Sequence, residues 1–141
     1  MRKYQIKLCL IFLTALSVQG FSQQFPSDDH PQSYLSGQIA RAGQLVHQQY
    51  YTQARIALDS ALTSSEHSSL IARGLSLRAT CEQGVGDNIG ADNDYAAIIK
   101  FFPDEFVAVN ALRNRGMLAY DQKQYQESRA YMQQCITRGK Q

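Results

Sequence analysis

A pattern of small and large apolar residues returns twice at an interval of 37 residues, and this recurrence constrains the fold more than any other feature of the chain. Tyr51-Thr52-Gln53 leads into Ala54, Leu58 and Ala61-Leu62. Thirty-seven residues on stand Asn88-Ile89-Gly90, then Ala91, Tyr95 and Ile98-Ile99. A third block holds Tyr125-Gln126-Glu127, Ser128, Met132 and Cys135-Ile136. Upstream of these blocks Ala42, Ala79 and Gly116 keep the same interval, as do Leu75 and Leu112. Spacings of three and four residues place each set on one helix face. A fixed period of this size marks a supersecondary unit repeated along the chain.

The physical basis of such a pattern is close helix packing. A small residue at Ala42, Ala79 or Gly116 on a first helix admits the second helix, which answers with Ala54, Ala91 or Ser128. Leu58, Tyr95 and Met132 then fill the space toward the next hairpin. Turn chemistry agrees. Gly84 to Asn88 and Asp121 to Gln124 join the helices of the second and third hairpins, Pro103 ends the helix before it, and Ser64 to Ser68 supply polar caps between the first two hairpins. No stretch alternates with period two, so the expected class is all-α.

Tyr-Xaa-Xaa-Ala, a large residue four later, an apolar pair and then Pro103 together resemble the second helix of the tetratricopeptide repeat. Leu112, Gly116, Tyr120 and Tyr125 match its two-helix pattern best. The first hairpin departs furthest, with Gln38 and Glu66 at positions where the family carries a bulky apolar residue and proline. The resemblance spans residues 34–138 and implies three helix-turn-helix hairpins (about 34–65, 68–102 and 104–138) stacked as a short right-handed α-solenoid.

The first 22 residues carry a different signature. Arg2, Lys3 and Lys7 precede an apolar run from Leu8 to Leu16, and Gly20-Phe21-Ser22 supplies small residues for cleavage after Ser22. This reads as a signal peptide, with residues 23–33 as a linker, and places the mature protein in the periplasm or outside the cell. A retained anchor is the alternative, but the apolar run is about half the length a spanning helix needs. Removing the segment takes three basic residues from a chain of net charge +2, leaving it at −1. The basicity belongs to targeting, and no basic stripe for nucleic acid remains.

The inventory for chemistry is thin. His30, His47 and His67 are not spaced as metal ligands on one helix face. Asp87, Asn88, Asp92, Asn93 and Asp94 lack the glycine and closing glutamate of a calcium loop, and Asp92 and Asp94 are read as complements to a helix dipole. Gly84, Gly86 and Gly90 lack the strand and the Lys-Ser/Thr of a phosphate cradle. Neither cofactor, metal nor catalytic set is expected. Cys81 and Cys135 are expected on non-adjacent helices as separate thiols, Cys135 in a small buried site. Most of the tyrosines are expected in the core, Tyr120 excepted.

Resemblance to the tetratricopeptide family implies a concave groove lined by first helices, which takes an extended or helical peptide. Its positions carry over to Ile39, Gly43, Val46 and His47, then to Arg73, Ser76, Thr80 and Gln83, and then to Asn110, Arg113, Met117 and Tyr120. Arg73 and Arg113 could clasp a carboxylate. The expectation is a non-catalytic interaction module of the cell envelope. The alternative is self-assembly through Tyr131 and Ile136 at the third hairpin, and an enzyme or small-ligand binder ranks behind both.

Overall fold

A computed structural model describes residues 31–63 and 69–140. The expected signal peptide, its cleavage site, His30, Glu66, His67 and the polar segment Ser64 to Ser68 lie outside the described residues. Among those described there are six helices and no strand: α1 (Pro31–His47), α2 (Tyr51–Leu62), α3 (Ser69–Gly84), α4 (Asn88–Phe101), α5 (Phe106–Asp121) and α6 (Tyr125–Arg138). The first begins three residues ahead of the expected start at 34. Proline is accepted at the first position of a helix because its missing N–H has no partner to lose there.

Helices pair in sequence as α1 with α2, α3 with α4, and α5 with α6. Between pairs α2 packs on α3 and α4 on α5, while α3 also lies against α1 and α5. The small residues sit where these contacts need them. Ala42, Ala79, Ala54 and Ala91 are wholly buried. In the third pair Ser128 donates its hydroxyl proton to the carbonyl of Gly116 at 2.7 Å, so the two small positions of that hairpin are bonded directly. A Cβ on Gly116 would stand 2.9 Å from the end of Met132, which shows how closely α6 approaches α5.

The turn inside each hairpin is one structure made three times. Gln49, Gly86 and Lys123 all take positive φ, at 63°, 84° and 63°. Their neighbours Tyr50, Asp87 and Gln124 each donate a backbone N–H to the carbonyl five residues back, on Leu45, Glu82 and Ala119, at 2.8 Å each. This left-handed cap closes the free carbonyls of a helix end. All three sets obey the 37-residue interval. Asp87 also caps α4, its Oδ1 accepting from the Gly90 N–H at 2.9 Å.

Two core clusters result. One gathers Leu35, Ile39, Leu58, Ile71 and Cys81, and the other Tyr95, Ile98, Ala108, Ala111 and Leu118. Fully burying a residue such as Leu58 or Ile98 contributes about 1.5–3 kcal/mol. α3 serves both clusters, giving Ile71 and Cys81 to the first and Ala79 to the second.

Candidate functional site: a groove between the first helices

Because α1 and α3 lie side by side, their outward faces bound an open groove of about 480 Å³. α1 lines it with Ser36, Ile39, Ala40 and Gly43. α3 adds Leu70, Arg73, Ser76, Leu77 and Thr80, and Val107 of α5 closes one side. The floor is mixed in character. Ile39 is a core residue that also borders the groove, being 8% exposed. Gly43 leaves open space, since a Cβ there would meet nothing within 4 Å. The Thr80 hydroxyl donates to the Ser76 carbonyl at 3.1 Å and also lies against the Tyr95 phenol.

Five of the expected residues therefore meet: Ile39, Gly43, Arg73, Ser76 and Thr80. The others fall elsewhere. His47 is exposed at the end of α1, and Val46 packs against the first core. Gln83 is half-buried and accepts the Tyr95 hydroxyl proton at 2.8 Å, so it is tied to the core side of α3. Burial raises the Tyr95 phenol above its ordinary range, while Asn114 and Thr80 pull it back. Asn110 is half-buried on α5; Arg113, Met117 and Tyr120 are exposed along that helix but do not line the groove. Tyr120 stands edge-on to Tyr125 with ring centres 5.5 Å apart.

Ser36, Ala40, Leu70, Leu77 and Val107 were missing from the expected lining. The 37-residue interval leads from an expected residue to only one of them, Ser36, and relates the rest to one another. Carried back it takes Arg73 to Ser36 and Leu77 to Ala40, and carried forward it takes Leu70 to Val107.

The charges sort into two populations. On α4, Asp94 is gripped by Arg78 and Asp92 by Arg115, the latter through Nε–Oδ1 at 2.7 Å and Nη2–Oδ2 at 2.9 Å. These carboxylates are therefore ion-pair partners of α3 and α5, which corrects their reading as dipole complements; neither lies in the first turn of α4. Arg73 and Arg113, by contrast, make no ion pair among the described residues.

Other expectations are corrected as well. Of the tyrosines expected in the core only Tyr95 is buried; Tyr51 and Tyr131 are half-buried, and Tyr50 and Tyr125 are exposed, as is Tyr120, which is expected outside it. Tyr131 lies under Arg115, whose guanidinium carbon is 4.5 Å from the ring centre, so it is not an open apolar face. Ile136 remains 51% exposed. Cys135 is only half-buried, with its thiol toward the Val109 carbonyl at 3.5 Å, and both Cys81 and Cys135 are free. Among the described residues no group of three or more His, Cys, Asp or Glu could hold a metal ion, and no helix is long and apolar enough to cross a membrane.

Set against family models, curated proteins and solved structures, the chain matches none.

Proposed function

We propose that this chain is a non-catalytic interaction module of tetratricopeptide kind, exported to the cell envelope, whose hairpins stack as a short right-handed solenoid. In this reading it holds a segment of a larger protein in the groove between α1 and α3. The observation that carries the reading is the groove itself: an open trough lined by apolar and polar side chains together, with Arg73, which makes no ion pair among the described residues, on its α3 side. A trough open to solvent suits a chain segment better than a small molecule, which needs a pocket that surrounds it. Side-chain contacts fixed by Arg73, Ser76 and Thr80 would set orientation, while Ile39, Leu70 and Leu77 would supply the contact area.

Gly43→Phe tests the proposal cleanly. A Cβ on Gly43 would meet nothing within 4 Å and Gly43 lines the groove, so a large side chain there should project into it. Crosslinking and pull-down from native envelope should recover a partner with the natural sequence and lose it with Gly43→Phe and with Arg73→Glu, helical content being unchanged. Recovery of the same partner by both variants would remove the groove from the argument.

A further inference from the structure

Glu82 occupies a position the repeat reserves for apolar side chains. The 37-residue interval aligns it with Leu45 and Ala119, yet here a carboxyl is 9% exposed, in the last turn of α3. One of its oxygens, Oε2, is buried with no hydrogen-bond partner, and so is Nε of Arg55 on α2. The cations nearby are already engaged. Arg78 is bonded to Asp94 and Asp59, and Arg55 lies 3.9 Å from Asp87. With Glu82 ionised, four carboxylates would share two arginines at the seam where α2, α3 and α4 meet. Space for the carboxyl is provided by Gly90, where a Cβ would come within 2.9 Å of the Glu82 carboxyl carbon.

We propose that Glu82 works as a proton-operated joint between the first two hairpins: a proton on its carboxyl lets α2, α3 and α4 close together, and losing that proton loosens the seam. The acting groups come from each side of it, Asp59 from α2, Arg78 from α3 itself, and Asp87 and Asp94 from the cap and body of α4. The other two helices packed on α3 carry Arg41 and His47 on α1, and Arg113, Arg115 and Asp121 on α5. Burial, reinforced by Asp94, pushes the carboxyl up to about 7 from its ordinary 4.5. The direction of the pH effect follows. Below the ordinary value both folded and unfolded chains hold the proton. Between there and about 7 the unfolded chain releases it while the folded chain keeps it, so stability falls as pH rises, and it levels off above.

The test needs no variant to begin with. The carboxyl carbon of Glu82 in the natively processed, isotope-labelled protein should titrate with a midpoint near neutrality; a midpoint near the ordinary glutamate value overturns the proposal. In parallel, the unfolding equilibrium constant of the natural protein should rise about tenfold or more between pH 5 and 8, a slope bounded at about tenfold per pH unit for one proton. Glu82→Gln, neutral throughout, should remove most of that rise. An unchanged slope in the variant would likewise sink the idea, whatever the midpoint.

Discussion

Arg78 holds Asp94 with two nitrogens, Nε to Oδ2 at 2.7 Å and Nη2 to Oδ1 at 2.6 Å, and turns its third toward Asp59 at 3.0 Å. One side chain on α3 thereby fastens α4 to α2. The two contacts differ in weight. Asp94 is 5% exposed, whereas half of the Asp59 side chain is in water and its pairing is screened. Arg78→Met should therefore strand a buried carboxylate and cost about 3 kcal/mol in urea unfolding. Arg78→Lys keeps the charge but loses the planar fork, and recovers only part of that loss. Asp59→Asn should change stability by less than about 1 kcal/mol.

Gly84 is required by an aromatic ring. A Cβ at this last residue of α3 would lie 2.5–2.7 Å from three ring carbons of Tyr51 at the start of α2. A tyrosine ring cannot fold aside as a thioether can, so Gly84→Ala should cost about 2 kcal/mol, in the range for an overpacked contact. Gly84→Ala combined with Tyr51→Leu should cost less than the sum of the two single changes. A double-mutant cycle by thermal unfolding reads this coupling directly.

The three hairpin turns can be ranked by their left-handed residue. Gln49 and Lys123 carry a Cβ where Gly86 does not. Gln49→Gly and Lys123→Gly should each stabilise by about 0.5–1 kcal/mol, and Gly86→Ala should destabilise by about 1 kcal/mol. Denaturant midpoints at unchanged slope check all three.

On α5 the exposed pair Arg113 and Tyr120 would test how far the proposed segment extends. Both are exposed, so Arg113→Glu and Tyr120→Ala should leave the unfolding temperature within about 2 °C. If the partner runs along all three hairpins, each variant loses capture. If it occupies the trough between α1 and α3 alone, both retain capture and Gly43→Phe still abolishes it.

Cys81 should be chemically silent while the fold is intact. It is wholly buried, and burial together with neighbouring Glu82 pushes its thiol up to about 11. The thiolate is the reactive form, so alkylation at pH 8 should label Cys81 only after denaturation. Mass spectrometry of the labelled peptides distinguishes it from Cys135.

The hairpins were legible because their contacts repeat. Ala42 against Ala54 and Gly116 against Ser128 leave the same trace at a fixed interval, and the turns at Gln49, Gly86 and Lys123 follow it although their residue types differ. What does not repeat could not be read. Arg41, Arg78 and Arg115 keep the interval, but the carboxylates do not: Asp94 lies 16 residues after Arg78 and Asp92 lies 23 before Arg115, with Ala57 and Arg55 at their places in the first hairpin. The carboxylates looked like helix-end charges because only the fold shows which guanidinium reaches them. Half of the groove was found for the same reason: Arg73, Ser76 and Thr80 share one face of α3, but α5 offers the groove only Val107. Tyrosine was misjudged because its ring is apolar and its hydroxyl is not, so spacing alone does not settle its exposure.

The three matching turns bear on how such a chain can change its length. Each hairpin turns through the same left-handed residue and closes its own two helices on the same pair of small positions. Copying a stretch of 37 residues within the chain would thus deliver a new hairpin already fitted to both neighbours. An insertion within a helix, by contrast, would rotate that helix's later small residues off the face that needs them. Duplication in whole units is the cheapest route by which this architecture gains surface.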